Sequence, residues 1–200
     1  MKINVTNRKE IALGAAMGGA GALVFLFVFP KGSISTLVHV LHLPGPGAGI
    51  VLIFGPFLIL VVITSSLLIL ARGGALIASL TFAVTYTLAV RLFGMATDPK
   101  GAFGSISFIA AVTLFGLVAE AVIAFGGALS QLFRSVLTGA LANAVLLVFY
   151  WLVIFPRTVG WVRWKDIPLL MGICLIGGLV AGYIAWRVSG PLCRVIKQKE

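Results

Sequence analysis

Six long apolar runs follow one another along this chain of 200 residues. They cover about 10–30, 47–70, 74–95, 103–126, 131–155 and 167–189. An α-helix needs ~20 predominantly apolar residues to cross the hydrocarbon core of a bilayer, so each run is long enough for one crossing. The pattern predicts an all-α integral membrane bundle of six transmembrane helices, which forms a single domain over residues 1–200.

The polar connections between these runs alternate in length, with long first, third and fifth connections and short second and fourth ones. The face with the short connections and both termini carries nine Lys and Arg residues, whereas the other face carries six. Positive residues are enriched in the cytoplasmic segments of membrane proteins. We therefore expect both termini in the cytoplasm and the long loops outside, where residues 31–47 and 97–102 would gate an outer cavity.

The composition is typical of a multi-pass protein of the cell membrane. Hydrophobic residues make up 60% of the chain and charged residues 10%, with a mean hydropathy of +1.16. Soluble domains carry about a quarter charged residues. The net charge of +10 comes mainly from loops and tails. There it suits the lipid bilayer and its anionic headgroups, so we expect no nucleic acid partner.

Motifs for catalysis are absent from the sequence. It contains no GxxxxGKS/T, HExxH or GxSxG pattern. We therefore expect neither ATP hydrolysis nor another enzymatic activity, and no cofactor. Cys174 and Cys193 lie 19 positions apart, near opposite ends of one predicted helix, so we expect no disulfide between them, and no CxxC pattern occurs. His39 and His42 form an HxxH pair, but two ligands without a nearby Cys or carboxylate do not make a metal site.

Four polar residues are candidates for contact with a substrate. Glu120 is the one acidic residue deep in a predicted span, where an ionisable side chain usually serves a function. It could instead pair with Arg134, which begins the next helix. Asn143 lies in the middle of the fifth helix, where a hydrogen bond between helices is the alternative. Tyr86 and His42 complete the set, and His42 could equally be a polar loop residue near the membrane surface.

The first predicted helix begins with ALGAAMGGAGA, in which nine of eleven residues are Ala or Gly. A ladder with a spacing of four residues lies on one face of this helix and consists of Ala12, Ala16 and Ala20. A second ladder, on a neighbouring face, consists of Gly14, Gly18 and Ala22. Small residues at this spacing allow another helix to approach closely. The partner could be a helix of the same bundle or another protein.

The six helices, the cytoplasmic termini, the long outer loops and the alanine ladder together resemble the S component of energy-coupling factor (ECF) transporters, which binds the substrate. The resemblance implies that Ala12, Ala16 and Ala20 dock on coupling helices of the transmembrane T component, while two ABC ATPases supply the energy. Residues 72–76 and 116–122 are similar to stretches of S components for thiamine precursors (the YkoE type). No acidic residue occurs over 78–89, which argues against a cationic pyrimidine as the substrate.

The resemblance implies a subunit that captures a small vitamin or vitamin precursor from outside and is energised by separate partners. The alternative is a non-catalytic structural or assembly subunit of another membrane complex, in which the alanine ladder would be a permanent interface and no ligand would bind. A membrane enzyme would need Glu120 and a histidine in one site, but the predicted topology places them on opposite faces of the membrane.

Overall fold

The computed structural model describes residues 8–30, 33–40, 42, 47–69, 73–94, 105–154, 156 and 163–197. These residues form helices and turns, and no strand occurs among them. The helices are α1 (Arg8–Val28), α2 (Ser33–Val40), α3 (Gly55–Ile69), α4 (Gly74–Phe93), α5 (Ile106–Phe125), α6 (Gln131–Phe149) and α7 (Ile167–Lys197). Two π-helical turns, Ile50–Phe54 and Tyr150–Ile154, adjoin α3 and α6, and a short 3-10 turn, Trp164–Asp166, precedes α7.

Six helical stretches are long and apolar enough to cross a membrane, and only α2 is too short. The prediction of an all-α chain with six candidate spans is therefore confirmed for the described residues. The ends of the first five spans lie within three residues of the ends expected from the sequence. The first connection contains α2, where the sequence analysis predicts no membrane span or other regular element.

The sixth span is longer than expected, because α7 continues to Lys197 and the predicted end at residue 189 is wrong. Pro191 has no N–H and therefore leaves the carbonyl group of Arg187 without its usual helical donor. The thiol sulfur of Cys193 lies 3.7 Å from the carbonyl oxygen of Leu67, which places the segment after Pro191 against α3.

The centre of the bundle is occupied by α3, which packs against α1, α4, α6 and α7. The other spans surround it in the order α1, α4, α5, α6 and α7, and each packs against the next. The start of α1, the end of α3 and the end of α7 lie together, since Ile69 contacts Gly14 and Leu67 contacts Cys193. We call this the Arg8 end of the bundle and the opposite end, which holds α2, the His42 end.

The interior towards the His42 end is filled with aromatic rings. Five fully buried residues form this aromatic cluster, namely Phe25, Phe54, Phe82, Tyr86 and Phe108. The centroids of neighbouring rings lie 5.0–6.4 Å apart. Tilted and edge-to-face pairs at such distances stabilise a core beyond the area that they bury. The cluster joins α1, the π-helical turn before α3, α4 and α5.

Small residues allow α6 and α7 to approach each other closely. A Cβ atom added to Gly178 would lie 2.5 Å from the carbonyl oxygen of Gly139, and one added to Gly182 would lie 2.4 Å from that of Ser135. Both distances are far below van der Waals contact, so a larger residue would push the helices apart. Gly178 and Gly182 are spaced as in the GxxxG pairs of other membrane helices.

Candidate functional site

The small residues of α1 are divided between two sides of the helix. One side, called the glycine side, is buried against the bundle and consists of Gly14, Gly18, Gly21 and Ala22. A Cβ atom added to Gly18 would lie 2.2 Å from the carbonyl oxygen of Ala78 in α4. One added to Gly21 would lie 2.7 Å from a methyl carbon of Val61 in α3. The glycine side therefore lets α1 lie directly on two neighbouring helices.

The alanine face, which consists of Ala12, Ala16 and Ala20, lies on the other side of α1 and is exposed. Within the described residues α1 packs against α3 and α4, and neither helix covers this face. The ladder of Gly14, Gly18 and Ala22 is thus an internal packing surface. The alanine face is left uncovered by the described part of the chain.

Glu120 in α5 lies against the beginning of α4. Its Oε1 atom accepts a hydrogen bond of 2.7 Å from the N–H group of Gly73, and its Oε2 atom accepts one of 3.1 Å from that of Ala75. The first N–H groups of a helix have no partner within the helix, and the helix dipole favours a negative charge beside them. Glu120 therefore caps α4 and fixes its start to α5.

The alternative partner of Glu120, Arg134, does not reach it. Glu120 and Arg134, both among the described residues, form no salt bridge with each other. Arg163 and Asp166 do form one, with Nε and Oδ2 3.8 Å apart. The aliphatic part of Arg134 packs close to Gly126, at the end of α5. Its Nε atom is buried without a hydrogen-bond partner.

Asn143 in α6 is fully buried and bridges three helical segments. Its Nδ2 atom donates to the carbonyl oxygen of Cys174 in α7 at 2.8 Å and to that of Val51, in the π-helical turn before α3, at 3.3 Å. Its Oδ1 atom has no hydrogen-bond partner and faces Gly55, where an added Cβ atom would lie only 1.9 Å away. Asn143 thus forms hydrogen bonds between helices, which is the alternative to substrate contact given above for this residue.

Pro56 explains why Asn143 is needed at this place. The N–H group of Gly55 donates to the carbonyl oxygen of Ile50 in the π-helical turn. Residue 56 would be the next donor along the helix, but proline has no N–H. The carbonyl group of Val51 is thus left without a donor from its own helix, and the side chain of Asn143 supplies one. Buried carbonyl groups require such a partner.

Tyr86 and His42 lie in very different surroundings. Tyr86 is fully buried in the aromatic cluster, where its ring centroid lies 5.0 Å from that of Phe108 and 6.2 Å from that of Phe25. His42 is exposed at a positive φ of 51°, and its Nδ1 atom lies 3.1 Å from the carbonyl oxygen of Val40. His39 is exposed too. Residues 43–46 and the expected gating segment 97–102 lie outside the described residues.

The four candidate residues for substrate contact do not share one site. Tyr86 lies eleven residues beyond Ala75, the partner of Glu120, which is about 16 Å along α4 at 1.5 Å per residue. The hydrogen bonds of Asn143 go to Val51 and Cys174, and His42 lies on the surface. A cavity of about 310 Å³ between α5 and α6 is lined by apolar side chains and includes none of the four.

The functional residues predicted from the sequence do not include Pro56, Gly178 or Gly182. A signal exists for each of them. A proline inside a predicted span implies a missing backbone donor, which a buried amide elsewhere can replace. The GxxxG spacing of Gly178 and Gly182 is visible in the sequence and is typical of close helix contacts.

No known protein family, curated protein or solved structure matches this chain. Its described residues contain no group of three or more His, Cys, Asp or Glu side chains that could hold a metal ion. A function is therefore inferred from features of this chain alone. These are the exposed alanine face, the Glu120 cap and the Asn143 bridge.

Proposed function

We propose that this chain is the substrate-capturing S component of an ECF-type importer in the cell membrane. In this proposal it binds a small vitamin or vitamin precursor, and a T component with two ABC ATPases supplies the energy. The observation that carries the proposal is the exposure of Ala12, Ala16 and Ala20, while the glycine side, on the opposite side of α1, is buried.

The physical reason lies in what an exposed helix face in a membrane requires. Contact with lipid alone calls for no small residues, since large apolar side chains suit acyl chains equally well. Farther along α1, the exposed positions are indeed large, as at Leu23, Val24 and Phe27. Three alanines at a spacing of four suit a helix that docks at short distance. The alanine face therefore suits a partner helix better than it suits lipid.

The orientation of the chain is part of the same proposal. Arg8 and Lys9 are exposed at the Arg8 end of the bundle, and Arg187 is exposed near the end of α7. Positive residues favour the cytoplasmic side, where the ATPases would act. The alanine face would then meet the T component in the cytoplasmic half of the membrane, and the substrate would enter from the His42 end.

Co-expression with an ECF module tests the docking step. The triple variant carries Ala12→Trp, Ala16→Trp and Ala20→Trp. Two single variants, Ala16→Trp and Ala121→Trp, control for the effect of one added tryptophan, because Ala121 is also exposed but lies on α5. We expect the triple variant to lose co-purification with the T component and to lose uptake, while Ala121→Trp keeps both. Monodisperse elution of every variant shows that the bundle is intact. Unchanged co-purification of the triple variant would exclude docking through this face.

A structural or assembly subunit is the second candidate function. Two observations favour it. The candidate ligand residues are dispersed, and the interior towards the His42 end is filled by the aromatic cluster. In that case the alanine face would hold a permanent partner and no small molecule would bind. Native mass spectrometry of the purified chain distinguishes the two, since a co-purifying small molecule supports the first function and a stable protein partner without one supports the second.

A further inference from the structure

The segment before Pro56 has an unusual attachment to the rest of the second span. In the π-helical turn 50–54 the regular ladder is broken, and the carbonyl group of Val51 receives its donor from Asn143 in another helix. Breaks of this kind are where membrane and soluble helices bend. The two parts of the span, residues 47–54 and 55–69, are therefore joined by fewer backbone hydrogen bonds than a continuous helix would have.

This segment lies between two packed groups of side chains. On one side Phe54 belongs to the aromatic cluster, and its ring centroid lies 5.3 Å from that of Phe25 and 5.6 Å from that of Phe108. On the other side Ala48 and Val51 pack with residues of α6 and α7, among them Leu147, Leu170 and Cys174. Any movement of the segment therefore carries the Phe54 ring into or out of the aromatic cluster.

A second break lies beside the first. The π-helical turn 150–154 extends α6 towards the same end of the bundle, and Trp151 in this turn packs against the group that contains Val51. Two of the three helical segments that meet at Asn143 thus leave regular α-helical geometry on their His42 side. π-Helical turns are frequent at functional sites.

We propose that residues 47–54 form a hinged segment, that Asn143 holds it in place, and that Phe54 is the ring it moves relative to the aromatic cluster. The hinge lies at Gly55 and Pro56. In the closed state the amide of Asn143 replaces the donor that Pro56 lacks. In the open state Val51 leaves Asn143, and the faces of Phe25, Phe82 and Phe108 become accessible. This inference stands on the geometry of the hydrogen bonds and does not depend on the proposed function.

A double-mutant cycle tests the role of Asn143. The variants are Asn143→Ala, Pro56→Ala and the two combined, each measured by thermal unfolding of the purified chain. Alanine at position 56 supplies an N–H group for the carbonyl group of Val51 or Leu52, so one of the two hydrogen bonds of Asn143 becomes redundant. We expect Asn143→Ala to lower the Tm of the wild-type chain more than it lowers that of the Pro56→Ala chain, and the difference between the two losses reports the hydrogen bond to Val51. The cavity left by the amide is the same in both backgrounds and cancels. Equal losses in both backgrounds would overturn the proposal.

Hydrogen exchange locates the movement. In Asn143→Ala we expect the amides of residues 50–55 to exchange about ten-fold faster, as the loss of one hydrogen bond implies. The amides of residues 61–69 serve as the control in the same helix and should keep their rates, and Pro56→Ala should slow the exchange of residues 50–55. If Asn143→Ala does not fold alone, the combined variant is compared with Pro56→Ala by the same measurement. Faster exchange along the whole of residues 50–69, or at none of them, would show that there is no hinge at this place.

Discussion

The two sides of α1 use small residues for different purposes. On the glycine side, Gly14 and Gly18 touch atoms of other helices so closely that an added Cβ atom would overlap them. On the alanine face, Ala12, Ala16 and Ala20 are exposed. Both ladders have the same spacing in the sequence. The difference is that Gly14 and Gly18 have no Cβ atom, and its absence is required most clearly at Gly18, where the neighbouring atoms are the backbone of Ala78.

The small residues of α1 thus serve two functions, one on each side of the helix. Glycine costs up to about 1 kcal/mol relative to alanine in a helix, so it is retained at Gly18 because the contact with Ala78 requires it. Alanine costs nothing in the helix and leaves a smooth surface. The alanine face is thus suited to a contact that forms without changing the stability of the isolated bundle.

The largest expected difference between the two sides is in stability. Gly18→Leu places a side chain where its Cβ atom would lie 2.2 Å from the Ala78 carbonyl oxygen. Because backbone cannot yield as a side chain does, we expect α1 to be displaced and the free energy of unfolding to fall by about 3 kcal/mol. Thermal unfolding in detergent measures the change.

The matched control for this prediction is Ala16→Leu, two residues away on the exposed face. Its expected change in the free energy of unfolding is within about 0.5 kcal/mol, as for other exposed positions. Equal losses for the two variants would mean that both sides of α1 are packed, and the distinction between them would be wrong.

A second pair of glycines extends the comparison to α7. Gly182→Ala should destabilise the chain by about 2 kcal/mol, since the new Cβ atom would lie 2.4 Å from the carbonyl oxygen of Ser135. Gly172→Ala, in the same helix, has no atom within 4 Å of its added Cβ and should stabilise the chain by about 0.5–1 kcal/mol. The two unfolding curves should move in opposite directions. A shift of the same sign would contradict the role of backbone contact.

The smallest expected effect is at the start of α4, the helix against which Gly18 of the glycine side lies. Glu120→Gln keeps one acceptor for the N–H groups of Gly73 and Ala75 but removes the charge, so we expect a loss of about 1 kcal/mol. Hydrogen exchange at the start of α4 should become faster, while the α1 amides near Ala16 should not change. A variant as stable as the wild type, but with weaker substrate binding, would instead support a direct contact of Glu120 with a ligand.

Much of the fold is predictable from the sequence, for a physical reason. A membrane span needs a minimum length of apolar residues, and that requirement is local, so six runs predict six spans. The end of α7 is different, because Pro191 lacks the N–H group that a continuing helix needs, yet α7 runs on to Lys197. The helix therefore continues past a residue that, in the sequence alone, indicates its end.

The candidate site is less predictable because its residues act across helices. The sequence identifies Glu120 and Asn143 as unusual polar residues in predicted spans, but it does not identify their partners. Glu120 bonds to the start of α4 instead of Arg134, and Asn143 bonds to a carbonyl group that Pro56 leaves free. These partners are backbone groups, and of them only the carbonyl group of Val51 has a signal in the sequence, which is Pro56.

The length of α7 has a further consequence for the protein in its membrane. Its 31 residues extend over about 46 Å at 1.5 Å per residue, whereas the hydrocarbon core is about 30 Å thick. A helix of this length must tilt or leave the hydrocarbon region at one end. Gly178 and Gly182 hold α7 against α6, so a change in its tilt changes the whole pair. In a bilayer we expect a change in thickness to act on this chain through the tilt of α7 and, with it, of α6.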